Sequence, residues 1–424
     1  MRILEQLLGG LRQVCASFPD GRQWRPDNMA IEDAALAAFS LFFMQSESFL
    51  SHQRRMEHGR NASNCKTLFG IEKIPSDNHI RDLLDPAPPE LLDPCFEQTL
   101  EQMRQHGGMK DFERLGGRVL IALDGSEYFS SEKRGCPRCL TRKRSNGKTE
   151  NYHTLLAATL VAPGHNRVLP LMPEFITPQD GAEKQDCERN AAKRWLERHG
   201  GRMRSLRPVY LGDALFSSQP MCAAVLAQGG DFLFVCKEDS HKTLYEYLRG
   251  AEPRQHTVSE RRMGGRTRTY RYRWVENLPL RVGKDGVPTD GSLSVGWKTT
   301  YRGAFVTSLA ITPENVAEIG ACARARWKIE NESFNVLKNH GYHLEHNFGY
   351  CQQHLAQVFV LLNLLAFAFH AVCDSVEKLW QEARAELGTR KGVFTDLHTV
   401  TAYFLFPDWN APCSAMVKEN APSP

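Results

Sequence analysis

Three acidic positions and the basic residues near them could carry chemistry. The apolar run VLIALDGSEYF, Val119 to Phe129, delivers Asp124, and PVYLGDALF, Pro208 to Phe216, delivers Asp213. An Asp at the end of a buried strand is costly unless it is paired or holds a metal. A single one is often a turn former or a helix cap. The third acid, Glu330, lies in ARARWKIENESFNVLKNHGYHLEH, Ala323 to His346. On a helix, Arg326 and Glu330 stack four residues apart, and Lys338 follows two turns later along that side. Trp327, Ile329, Phe334 and Leu337 gather on one flank. A carboxylate between an Arg and a Lys suits work on phosphates, although an ordinary solvated face with helix-stabilising pairs has the same pattern.

The elements that must position these residues are readable as apolar runs. Candidate strands cover 119–129, 153–162, 167–176, 208–216 and 231–237, and QDCERNAAKRWLERHG supplies a helix closed by Gly200. Three strands, then helix, strand, helix and strand, is the order of an RNase H-like domain and also suits other mixed α/β sheets. The first hundred or so residues read as helical, with Met29–Met56 the most amphipathic stretch. Ser76 or Asp77 is expected to cap a short helix ended by Pro86. That helix presents Asn78, His79 and Arg81, either to DNA or as part of a structural arm.

Beyond Lys237 the pattern turns β-like and basic. Residues 254–302 hold eleven Lys or Arg against four Asp or Glu, a net of +7 where the whole chain carries +4. Alternation sets Arg266, Arg268, Tyr270, Tyr272 and Trp274 on one strand face, with Arg271 and Arg273 on the other. Interleaved Arg and aromatic residues can neutralise phosphates and stack on unpaired bases, and the same aromatics can equally form a β core. A second basic stretch, Ser130 to His153, carries Arg134, Arg138, Arg142, Lys143, Arg144 and Lys148, as a phosphate track or as a solvated hairpin tip. Within it Cys136 and Cys139 have the spacing of half a structural Zn²⁺ site. His153 is the nearest third ligand and there is no clear fourth, and two thiols on a loop fit as well.

The chain resembles the DDE transposases of bacterial insertion sequences that carry a β-rich insertion between the second Asp and the Glu. The resemblance covers about Thr67 to Cys373. Asp124 and Asp213 match the two aspartates and Glu330 the glutamate, at separations of 89 and 117 residues. The family's helix signature is Tyr, two residues, Arg, three residues, Glu, six residues, Lys. Arg326 and Glu330 fit it. Ala323 stands at the Tyr position, and the Lys is displaced by one, to Lys338. That displacement keeps Glu332 as a second candidate acid.

The resemblance implies an α/β protein with an RNase H-like mixed sheet and flanking helices, interrupted by a β-rich insertion and preceded by a helical N-terminal region. The expected boundaries are 1–112 for the helical, DNA-binding region and 113–239 for the first part of the catalytic domain. The insertion takes 240–302, the catalytic domain resumes over 303–375, and 376–424 forms a C-terminal helix and tail. It further implies metal-dependent cleavage and strand transfer at DNA ends. Asp124, Asp213 and Glu330 would bind Mg²⁺ or Mn²⁺, and Arg326 and Lys338 would clamp phosphate. Trp274 or Trp297 would hold a flipped base. The partners would be terminal inverted repeats and target DNA, bound by a homodimer. A nuclease without strand transfer and a catalytically silent DNA-binding descendant are the alternatives.

Composition narrows the setting. At 424 residues the chain has room for two or three domains. Its 12 cysteines lack the spacing of a secreted disulfide framework. No signal-peptide pattern opens it, so a cytoplasmic, nucleoid-associated protein is expected. His354–Cys373 has the length of a membrane span, but Gln357, Asn363 and His370 favour a helix buried in a soluble core.

Overall fold

The computed structural model describes residues 1–23, 25, 28–58, 62–178, 186–261, 267–276, 278, 294–296, 303–346 and 352–417. Its N-terminal part is helical. Helix α1 (Arg2–Cys15) buries Leu4, Leu7, Leu8 and Leu11, spaced to make one apolar stripe. Helix α2 (Ile31–Phe43) is buried on nearly every side. Helix α3 (Asp77–Leu84) begins at Ser76, whose side chain accepts from the His79 amide as a cap does.

The centre is a mixed sheet. The strands that position the site are β1 (Arg118–Ser131), β2 (Leu140–Lys143), β3 (Thr149–Val161), β4 (Glu174–Ile176), β5 (Pro208–Gly212) and β6 (Asp231–Val235). Beyond them come β7 (Arg254–Arg261), β8 (Thr267–Val275), β9 (Ser294–Gly296) and β10 (Phe305–Thr307). Across the sheet the order is β2-β3-β1-β5-β6-β10-β9-β8-β7, and β4 also pairs with β3. Strand β1 is antiparallel to β3 and parallel to β5, and β5 is parallel to β6. Strand β10 then runs antiparallel to β6. The protein is therefore mixed α/β with a mixed open sheet. Val119 to Leu123 on β1 and the whole of β5 are buried, as expected for strands covered on both faces.

Helices α4 (Glu188–Trp195), α5 (Val316–Arg324) and α6 (Leu355–Val376) pack on strands of the sheet, and α7 (Arg390–Tyr403) packs on other helices. Among the described residues α6 alone is long and apolar enough to cross a membrane, but 94% of its most apolar window is buried inside the protein. It packs on α2 and on the segment Leu169–Pro170. Its polar residues are partly satisfied there: Asn363 donates to the Tyr342 carbonyl, and His370 Nδ1 lies 2.6 Å from the Tyr342 hydroxyl, while Asn363 Oδ1 and His370 Nε2 find no partner among the described residues. The start of α6 is capped from a distance. The Asp85 carboxylate accepts from the amides of Gln352, Gln353, His354 and Leu355. A carboxylate there satisfies orphan donors and opposes the positive end of the helix dipole.

Three expectations change. The run 167–176 is not one strand but Leu169–Pro170 and Glu174–Ile176, because Pro170 and Pro173 cannot donate to a ladder. The β-like stretch after Lys237 opens instead with the helix Lys242–Gly250, whose Leu244 and Tyr245 are buried. The end of the chain is no loose tail as far as Val417. Trp409 is buried against Phe43 and Phe69 and donates to the Leu68 carbonyl.

Candidate functional site

Strand register brings the first two acids level. Ala122 on β1 pairs with Leu211 on β5, so two residues further Asp124 and Asp213 stand side by side at the end of the parallel pair. Asp124, inside β1, accepts from the Gly125 amide, and Asp213 holds the turn after β5 by accepting from the Leu215 amide at 2.8 Å. Turn formation and ligand work are compatible, since each carboxylate keeps lone pairs to spare.

The third acid arrives on a later helix. After α5 the chain winds into a π-helical turn, Ile329–Phe334, which buries Ile329 and Ser333 and packs on β1 and β3. Such turns are frequent at functional sites because they re-aim side chains. Arg326 Nη1 lies 2.8 Å from Glu330 Oε1 and 3.5 Å from Asp124 Oδ2, so one guanidinium joins the two acids. The Arg326 side chain is 7% exposed. Its face also lies over the Trp327 ring, which is itself 43% exposed and not on the buried flank the helical spacing suggested. The π turn shifts the register, leaving Ile329 and Leu337 inside.

Glu188, in the first turn of α4, is a fourth acid that the sequence reading passed over as part of a structural helix. A Cβ on Gly125 would collide with Glu188 Oε1, so the glycine admits this carboxylate beside Asp124. Burial pushes the Asp124 carboxyl up to about 7, with Arg326 opposing and Glu330, Glu188 and Asp213 adding repulsion. Glu188 is also raised, by burial and by Asp213. The signal was available in part: Glu188 follows Gln185, Asp186 and Cys187 in a polar run where α4 begins.

Other expected site residues lie elsewhere. Lys338 pairs with Glu345 at 2.8 Å, a partner distinct from Asp124 and Glu330. Arg326 is enclosed by acids, so in this conformation it holds carboxylates and does not clamp phosphate. Glu332 lines a cleft with Gln45, Arg390 and His398, away from Arg326. Of the two candidate acids, it is Glu330 that shares Arg326 with Asp124.

The basic hairpin β2–β3 is largely neutralised. Arg142 bonds Glu127 and Glu150, Arg144 bonds Glu150, and Lys148 bonds Glu132. Arg138 donates to the Gln353 carbonyl at 2.8 Å, which fastens the hairpin to the start of α6. Lys143 is exposed, and Arg134 lies on the same exposed loop. This is less of a phosphate track than the count of charges suggests. Arg81 likewise contacts Asp77 and Asn78 on its own helix.

Strand β8 keeps its charges outward. Arg268, Arg271 and Arg273 are exposed, while Tyr270, Tyr272 and Trp274 are buried. The aromatics pack towards α5, where a Cβ on Gly320 would come within 2.7 Å of the Tyr272 ring. Trp274 is 1% exposed, so it is a core residue and not an open platform for a base. Period-two alternation placed it correctly, and burial decided its role. Arg266 and Trp297 lie outside the described residues.

Cys136, Cys139 and His153 do converge. The two Sγ atoms are 3.7 Å apart and each is 3.3 Å from His153 Nε2. Among the described residues this is the one group of three or more His, Cys, Asp or Glu whose donor atoms all lie within 4.8 Å of one another, and it could hold a metal ion. The four acids are in electrostatic reach of one another but spread more widely.

Fold and site together define a mixed α/β protein with an acid cluster at the ends of two central parallel strands, countered by one buried arginine. No protein-family model matches the chain, and no curated protein matches it either.

Proposed function

We propose that the chain is a DDE transposase of the insertion-sequence type, cutting and joining DNA at the ends of a mobile element. The observation that carries this is the Arg326 bridge. It ties the Glu330 turn to Asp124, on the strand whose parallel neighbour ends at Asp213. The sheet supports the same reading. Taken as β4-β3-β1-β5-β6, it has the order 3-2-1-4-5, with the first three strands antiparallel and the last two parallel to the first. That order agrees with an RNase H-like arrangement, and in this reading the chain between β6 and β10 serves as the β-rich insertion before the Glu.

The donor set fits Mg²⁺ or Mn²⁺. All four groups are hard carboxylates, and the buried Asp124 calls for a counter-cation that Arg326 supplies only in part. When bound, a metal pair polarises the scissile phosphate and stabilises the attacking and leaving oxygens. Asp124, Asp213 and Glu330 would hold the metal. Arg326 ties Asp124 to Glu330 and orients both. Water as nucleophile gives nicking, and a DNA 3′-OH gives strand transfer. In this reading Arg268, Arg271 and Arg273 supply sequence-independent phosphate contacts. The protein works as a homodimer on paired ends, among the nucleoid DNA of a bacterial cytoplasm.

The test is direct. DNA flanking the gene is searched for short inverted repeats, and a duplex carrying them is incubated with the protein and Mg²⁺ or Mn²⁺. Metal-dependent nicks at the repeat ends, followed by joined products, are expected. Nicks that never yield joined strands would reassign the chain as a nuclease. Specific binding without any cleavage would make it a silent DNA-binding protein.

A further inference from the structure

We propose that Cys136, Cys139 and His153 form a structural zinc site that pins the turn ahead of β2 to strand β3. Zinc bonds to sulfur at about 2.3 Å and to nitrogen at about 2.0–2.1 Å, so tetrahedral geometry requires about 3.8 Å between two sulfurs and about 3.5 Å between sulfur and nitrogen. The observed separations are 3.7 Å and 3.3 Å. Three donors already stand near the corners of a tetrahedron of the right size. The fourth corner is left to water.

The surroundings fit a metal better than two thiols and an imidazole. The turn from Cys136 to Cys139 is closed by the Cys139 amide on the Cys136 carbonyl. The Cys136 amide donates back to Cys139 Sγ at 3.2 Å, a contact that stabilises negative charge on sulfur. His153 is 4% exposed and its ring lies parallel to Tyr128 at 5.5 Å, which fixes the direction of Nε2. Two thiolates, a neutral imidazole and a divalent ion sum to zero charge, so the group can be buried without an unpaired ion. Sulfur and imidazole together select zinc over the hard cations.

The site is too far from the acids to share their chemistry. His153 pairs with Phe129, five residues beyond Asp124 along β1, a distance of roughly 15 Å. Its effect is positional. Zinc joins the Cys136–Cys139 turn to β3, and Arg138, between the two cysteines, then reaches the Gln353 carbonyl ahead of α6.

The test uses the full-length protein purified under reducing conditions without added chelator, and its metal content is measured by mass spectrometry. About one zinc per chain is expected, and Cys136→Ser, Cys139→Ser and His153→Ala should each lower occupancy at least about tenfold. Cys187→Ser, at an exposed cysteine outside the cluster, should leave it unchanged. Should a variant fail to fold, the wild type still decides: Co²⁺ added to the metal-stripped protein should give intense thiolate charge-transfer and tetrahedral d–d bands. Reduced wild-type protein with neither zinc nor a cobalt–thiolate spectrum would overturn the proposal. Full zinc content in the Cys136→Ser/Cys139→Ser double variant would do so too. No DNA enters these measurements, so their failure leaves the transposase reading standing, and the reverse also holds.

Discussion

The acid cluster and the sulfur cluster are both sets of metal-type ligands, yet the folded chain treats them differently. Cys136, Cys139 and His153 stand at bonding separations, whereas Asp124, Asp213, Glu188 and Glu330 remain apart around an arginine. Charge explains the contrast. Thiols stay neutral until a metal displaces their protons and imidazole binds as a neutral ring, so they can be packed together in advance. Carboxylates are ordinarily charged at neutral pH, and bringing them together in a desolvated cleft costs repulsion on top of burial, which is what pushes Asp124 up. A chain can therefore pre-assemble a soft site, but a hard one needs an internal counterion. Arg326 is that counterion.

The largest effects should come from breaking the acid cluster. Under the proposed function, Glu330→Gln would remove a metal ligand, a loss of several kcal/mol in transition-state stabilisation, on the order of 10³-fold in cleavage rate. Binding to element ends should be nearly unchanged. Glu332→Gln, facing the other cleft, should stay within about threefold, as surface substitutions do. The opposite ranking in a cleavage assay would refute the assignment of Glu330.

Arg326→Gln addresses the counterion itself. Removing one partner from a buried charge group typically costs about 3–5 kcal/mol. Urea denaturation without metal should show a loss of that size, and Mg²⁺ should restore more stability to the variant than to the wild type. Equal Mg²⁺ gains in the two proteins would mean that arginine and metal do not serve the same acids.

The sulfur site should respond in the opposite way, through local order and not through activity. With zinc at about 100 times its dissociation constant, binding contributes about 2.7 kcal/mol against opening of the hairpin. Trypsin should then cut within Arg134–Lys148 up to about 100-fold faster after chelation. The fragments locate the cut. Cleavage that starts elsewhere would show that the metal guards another part of the chain.

Much of this was legible in the sequence because apolar runs report buried strands. Val119–Phe129 and Pro208–Phe216 gave β1 and β5, and with them the two aspartates in adjacent positions. The Arg326–Glu330 spacing gave the pair seen at 2.8 Å. Other features depended on long-range partners that no local pattern contains. The glutamates that neutralise Arg142 and Arg144 lie in other strands or register positions, so a basic count overstated the open charge. Trp274 sat on the expected face, but only its packing towards α5 revealed that the face is internal. Glu188 was missed because its relevance arises from a glycine in another strand.

That glycine offers a finer probe of the acid cluster. Glu188→Gln should lower cleavage by about 10- to 100-fold, the usual range for a residue that supports ligands. Gly125→Ala should reproduce much of the loss with Glu188 intact, because its Cβ would displace the carboxylate. A Gly125→Ala enzyme of wild-type activity would show that Glu188 is only a helix N-terminal residue.

The smallest effect concerns charges that neither cluster neutralises. Arg271 and Arg273 are exposed on β8 and make no ion pair among the described residues, whereas Arg142 and Arg144 are tied to glutamates. Each phosphate contact contributes about 0.9 to the slope of log affinity against log salt on duplex DNA. Arg271→Gln with Arg273→Gln should therefore reduce that slope by up to about 1.8, and weaken binding alike for all sequences. Arg142→Gln with Arg144→Gln should change the slope less and cost folding stability instead, because Glu127 and Glu150 lose their partners. Titrations at several salt concentrations separate the two pairs. If the β2–β3 pair carried the larger slope, the glutamates would have to release their arginines to DNA, and the division between compensated and open charge drawn from the structure would fail.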